Sequence, residues 1–169
     1  MDINPLENHV KQLINILQQE NSILERIKLL EMEKNNLLTY KKEVVDLTFL
    51  NDSLEKLLKS ENVLEQRREA ILQELSRYFQ ISSLTLDILV EKISPELKKE
   101  LIKVKNSLLK ITSEIKEYNE INKIILNDLL KLVGYALDFY SQERILETNY
   151  GRKKGQSKEY RSMVINTTI

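Results

Sequence analysis

The chain has 169 residues, 31% of them charged and 6% aromatic, with three Gly, two Pro, one His and no Cys. That composition excludes disulfides, metal sites built on clustered Cys or His, and nucleophilic catalysis that needs a Cys or a His base outside its one histidine. Twenty-six basic residues balance twenty-six acidic ones, so the broad basic surface that a nucleic-acid backbone requires is missing and nucleic acid is not expected as a partner.

The few Gly and Pro favour a small number of long helices over many short strands. The N-terminal Met1-Asp2-Ile3-Asn4-Pro5 lacks a basic region followed by an apolar core, and is not expected to be a secretory signal. No apolar run reaches the roughly 18–20 residues that span a bilayer, so no membrane insertion and a cytoplasmic location are expected.

Apolar residues then recur at helical spacing. Leu6, Val10, Leu13, Leu17, Leu24, Ile27, Leu30 and Leu37 predict a first helix over 5–38. Leu47, Leu50, Leu54, Leu57, Leu64, Ile71, Leu75 and Tyr78 predict a second over 43–79. Nothing local forces the turn between them, and Thr39–Lys42 and Asn51-Asp52-Ser53 are both plausible breaks. Length matching favours the first, since two helices of about 35 residues, each roughly 50 Å long, pack as a hairpin without overhang. Gln80-Ile81-Ser82-Ser83 ends the second helix and offers a cap for a short third one over 83–92.

Ser94-Pro95-Glu96 starts the last helix, predicted over 95–146, with Ser as cap and Pro in the first turn. Its apolar row is the longest: Leu97, Leu101, Val104, Leu108, Ile111, Ile115, Tyr118, Asn122, Ile125, Leu129, Leu132, Ala136 and Phe139. The steps alternate four and three, a heptad seam for a neighbouring helix. The expected fold is therefore all-α: an elongated antiparallel bundle of three long helices plus one short helix over 1–146. A flexible basic tail follows over 147–169, with Arg152, Lys153, Lys154, Lys158 and Arg161 against Glu147 and Glu159.

Polar residues interrupt the stripes. Glu61 and Arg68 fall on the seam of the second helix, and Glu65 is spaced to pair with Arg68. Such residues read as register-setting pairs rather than catalytic ones, because no nucleophile or metal accompanies them. His9 stands alone, and the glycines all lie at or after Gly134, so no Gly-rich phosphate loop exists. No enzyme activity, metal or cofactor is expected.

The stretch Ile121–Tyr140 is more apolar than a bundle helix needs, with thirteen of twenty residues apolar or tyrosine. Ile125, Leu129, Leu132, Ala136 and Phe139 continue the seam toward the bundle. A second row beside it, Leu126, Leu130, Val133, Leu137 and Tyr140, has no evident use within three helices. Surplus apolar surface marks a partner site. It can equally be covered by the short helix, through Leu84, Leu86, Ile88, Leu89 and Val90, or by a second copy of the chain. The oligomeric state stays open between monomer and homodimer.

Three landmarks resemble the FlgN family, the chaperones that escort hook–filament junction proteins to the flagellar type III export apparatus. Glu55-Lys56-Leu57-Leu58 followed by Leu64-Glu65-Gln66-Arg67-Arg68 is similar to the family's Glu-x-x-Leu-Leu and Leu-Glu-x-x-Arg segment, with one residue fewer between the glutamate and the paired leucines. Asn119-Glu120-Ile121-Asn122 before Ile125-Leu126 resembles its Asn-x-x-Asn followed by aliphatics. Tyr150-Gly151-Arg152-Lys153-Lys154-Gly155 looks like its Tyr-x-x-x-Gly element, with one extra residue before the second glycine. The resemblance implies a chaperone that binds the C-terminal segments of FlgK- and FlgL-like proteins through the end of its last helix. Here that assigns client binding to Ile121, Leu126, Leu129, Leu130, Val133, Leu137 and Tyr140, and docking on the export gate to Tyr150. The competing reading is a structural coiled-coil protein that self-assembles through its heptad seams.

Overall fold

The computed structural model describes residues 5–41 and 44–150, with side chains described for all of these except 41, 44, 45 and 142–150. The described residues contain four α-helices and one short π-helical segment: α1 (Pro5–Asn36), the π segment (Leu37–Lys41), α2 (Val44–Phe79), α3 (Leu86–Lys92) and α4 (Pro95–Tyr150). Among the described residues there is no strand. The all-helical class expected from the apolar period is the one observed. The chain divides into two units, one ending at Asn127 and the other beginning at Asp128.

In the first unit α1 opens on Pro5, whose missing N–H is no loss in a first turn, with the acidic Glu7 close behind. Its buried face is Val10, Leu13, Ile14, Leu17 and Ile27. The helix ends without Gly or Pro. It widens into one i→i+5 turn in which the adjacent Leu37 and Leu38 are both buried, so apolar burial rather than turn chemistry marks the reversal. The break thus lies at 37–43. The alternative at Asn51-Asp52-Ser53 is uninterrupted helix, where the Ser53 hydroxyl donates back to the Phe49 carbonyl at 2.9 Å.

α2 runs antiparallel to α1. Leu75 packs in one cluster with Val10, Leu13, Ile14 and Leu17, while Leu54 and Leu57 pack with Ile27 in a second. α4 runs parallel to α1, because Leu97 and Leu101 join the first cluster and Ile115 the second. Lys28 reinforces this pairing by bridging Glu25 of its own helix at 2.6 Å and Glu114 of α4 at 3.2 Å. Residues 95–127 of α4, those belonging to the first unit, match α1 closely in length.

The α2–α3 connection corrects the expected cap. Gln80 takes a left-handed backbone (φ 55), with Ile81 N donating to Ser76 O at 3.0 Å and Gln80 N to Arg77 O at 3.2 Å. This is the closing pattern usually reserved for glycine. The cap of α3 is Thr85, which accepts from Ile88 N at 3.3 Å, and not Ser82 or Ser83; the helix accordingly starts at Leu86. Leu84 stays outside it because it packs, with Leu86, Leu89, Val90 and Ile93, on the first core cluster. At the start of α4, Pro95 takes the first helical position and the Ser94 carbonyl accepts from Lys98 N at 2.9 Å.

Candidate partner-binding surface

Two polar layers interrupt the core of the first unit and fix how its helices lie against one another. In the α1–α2 layer, the fully buried Glu20 accepts from Arg68 Nη1 at 2.9 Å, and Arg68 Nη2 donates to Glu65 at 3.3 Å. Burial pushes the Glu20 carboxyl above its ordinary value; Arg68 pulls it down, while Glu61 and Glu65 push it further up. Glu61 is likewise raised, first by burial and then by Glu65. The Glu65–Arg68 pair is the one the spacing predicts. Glu20, its buried partner across the helix interface, was not singled out, although it occupies the seam slot between Leu17 and Leu24.

In the α1–α4 layer, the buried Asn122 donates to Glu31 O at 3.0 Å and Glu31 Oε2 at 2.8 Å, and accepts from Asn35 Nδ2 at 3.0 Å. Its amide is satisfied on both sides. Asn122 lies one turn beyond Asn119, so the second asparagine of the Asn-x-x-Asn element is a core residue here.

Past this layer the seam of α4 loses its cover. Leu97, Leu101, Ile111 and Asn122 are buried and Ile125 and Leu129 half-buried, but Leu132, Ala136 and Phe139 are exposed. This corrects the expectation that the last three face the bundle. The sequence signal was length: a 56-residue helix cannot be covered end to end by helices of 32 and 36.

Of the residues assigned to a client, Ile121 is exposed and Leu126 half-buried within the first unit. In the second unit Leu129 is half-buried and Leu130, Val133, Leu137 and Tyr140 are exposed. Together with Leu132, Tyr135 and Phe139, those four large side chains are each 55–69% exposed. Ile124, also missed, is exposed in the first unit. Of the candidates to cover the second row, Leu84, Leu86, Leu89 and Val90 instead pack in or against the first core cluster. Only Lys123, Asp128, Lys131 and Asp138 carry charge between 121 and 140, and Lys131 pairs with Asp128 at 3.2 Å. The backbone of Tyr150 ends α4; its side chain and the Tyr-Gly element beyond it lie outside the described residues.

Among the described residues no three His, Cys, Asp or Glu side chains converge as for a metal, and no helix is long and apolar enough to cross a membrane. A groove of about 530 Å³ lies between α1 and α4 and is lined by Gln18, Asn21, Ser22, Glu100, Lys103, Val104 and Ser107. The Ser22 hydroxyl within it donates to the Gln18 carbonyl at 3.1 Å. His9 pairs with Glu74 at 3.1 Å on the surface, linking α1 to α2.

No curated protein and no solved structure matches the chain. The family described as FlgN protein matches residues 1–158, nearly its whole length. The chain therefore belongs to the FlgN family, whose members are flagellar export chaperones rather than enzymes and bind hook-associated proteins.

Proposed function

We propose that this chain works in the cytoplasm as the export chaperone for hook-associated proteins of the FlgK and FlgL kind, and that it binds their C-terminal segments along the end of α4. The observation that carries this reading is the run of large apolar side chains over 130–140 exposed on a continuous helix. A surface that is apolar and nearly uncharged suits the apolar face of an amphipathic client helix. Each Leu or Ile buried in full contributes roughly 1.5–3 kcal/mol. The client's own apolar residues are kept out of water by the same contact, which prevents premature association. Release needs no ATP, because occupancy follows mass action on a binding-competent chain.

The site is Leu129, Leu130, Val133, Leu137 and Tyr140, with Ile121 and Leu126 on the preceding turns. The segment beyond α4 delivers the loaded chaperone, and Tyr150, at the end of that helix, docks on the export gate. Calorimetry of the full chain against the C-terminal segment of a FlgK-type protein tests the reading. Saturable one-to-one binding is expected, with loss of measurable heat in Leu126→Asp with Leu130→Asp at unchanged helicity. Absence of binding by the folded wild type overturns it.

A further inference from the structure

Within the second unit, Leu130, Gly134, Leu137 and Ser141 follow one another at steps of four, three and four, a single line along the helix. Leu130 and Leu137 are exposed on it. A Cβ added at Gly134 would meet nothing within 4 Å among the described residues, so no contact there requires a glycine. A glycine inside a helix nevertheless costs about 1 kcal/mol relative to alanine. Between two leucines on a contact line, it lets a second helix approach toward the lower end of the usual range of about 8–10 Å between axes.

The charges name the second helix. Lys131 and Asp138 flank the same edge of this line and lie symmetrically about the midpoint between Gly134 and Tyr135. If two copies of the segment pair antiparallel about that midpoint, each Lys131 stands level with Asp138 of the other copy, giving two reciprocal ion pairs. A parallel, in-register pair would put the two charged edges on opposite sides of the contact and form neither ion pair. Among the described residues Lys131 pairs with the exposed Asp128, a contact weak enough to exchange. Seven large side chains, three of them aromatic, are more than half exposed between 130 and 140. Of these, Leu130, Val133, Leu137 and Tyr140 lie on the side of the contact line and Leu132, Tyr135 and Phe139 on the opposite side, so the pairing buries a small area and is a weak, reversible one.

We propose that residues 130–141 of α4 pair antiparallel with the same residues of a second copy, about a two-fold axis at Gly134–Tyr135, and so cover that side of the helix while no client is bound. The surface is the one assigned to the client and the inference rests on that assignment for its regulatory meaning. Leu130 and Leu137 serve both contacts, so client and second copy exclude one another.

Sedimentation equilibrium of the full chain over the micromolar range tests the pairing. Wild type is expected to dimerise reversibly and to become a one-to-one heterodimer when the FlgK-type C-terminal segment is added. Lys131→Asp alone sets like charges together twice and should weaken dimerisation by about tenfold or more, while Lys131→Asp with Asp138→Lys should restore it. A wild type that stays monomeric throughout, or a double exchange that fails to restore association, overturns the proposal. Neither residue belongs to the client row, so client binding by Lys131→Asp is read separately. Binding without any dimer removes the pairing and leaves the chaperone reading standing, whereas a dimer indifferent to the segment overturns the mutual exclusion.

Discussion

Glu20 sits in a slot that heptad spacing reserves for an apolar side chain, and one of its oxygens, Oε1, has no hydrogen-bond partner. Its only strong support is Arg68, itself shared with Glu65. Arg68→Met keeps the length and apolar stem of the side chain but leaves the Glu20 carboxylate buried and unpaired. That should destabilise the protein by about 2–4 kcal/mol near neutral pH, below the top of the range for buried pairs because Arg68 is partly exposed. Changing both residues to Met and Leu should be close to neutral, since the cost of desolvating the pair disappears with it. The pH dependence has a definite sign. Because the folded carboxyl is raised above 4.5, the folded state binds the proton more tightly than the unfolded state. The penalty from Glu20 is complete above the raised folded value and fades as pH falls toward 4.5. Glu61 acts in the same direction. The deficit of Arg68→Met in urea unfolding should therefore shrink between neutrality and about pH 5. An unchanged deficit would show that the buried charge of Glu20 is not its cause.

At the scale of the element, Asn122 decides which turn of α4 meets which turn of α1. Its three hydrogen bonds go to two residues of α1 four apart, Glu31 and Asn35, so a slip of one heptad breaks all of them. A buried asparagine in a seam fixes register at a cost in stability. Asn122→Leu strands the Glu31 carboxylate and should cost about 1–3 kcal/mol. Asn122→Leu with Glu31→Leu should regain that stability yet split the amide resonances of residues 95–127 into more than one set. A single set of resonances would mean that apolar packing alone holds the register. Both asparagines were visible in the sequence as a motif, and the uninterrupted four-three spacing told where α4 would face a neighbour. The length argument also placed the first reversal near residue 40. What could not be read was chemistry supplied by another helix. Glu20 and Glu31 look like ordinary exposed glutamates until Arg68 and Asn122 are set opposite them. The left-handed Gln80 carries no signal at all, because its conformation is imposed by the packing of Phe79 and Leu84 on the core around it. Nor does spacing alone say where a seam stops being covered, and the exposure of Leu132 and Phe139 had to come from the structure.

For the whole molecule, the two units differ in what holds their helix together. Between Pro95 and Asn127, α4 is stabilised by side chains from α1, α2 and α3 as well as by its own backbone hydrogen bonds. From residue 130 to 141 every described side chain is exposed, Gly134 lies in the middle, and intrinsic propensity is the main support. Helical segments without tertiary packing are marginal in water, so opening there is a local event of low free energy rather than a share of global unfolding. Hydrogen exchange should separate the two. Amides of residues 97–122 are expected to exchange only with global unfolding. Those of 130–141 should exchange orders of magnitude faster at concentrations where the chain is monomeric. Adding the FlgK-type segment should slow the second group selectively, because the contact supplies the packing that the chain itself leaves out. Uniform protection along α4 in the monomer would mean that something within the chain covers residues 130–141, and a client could then bind only by displacing it. That outcome would move the energetic cost of client capture from ordering a helix to opening one.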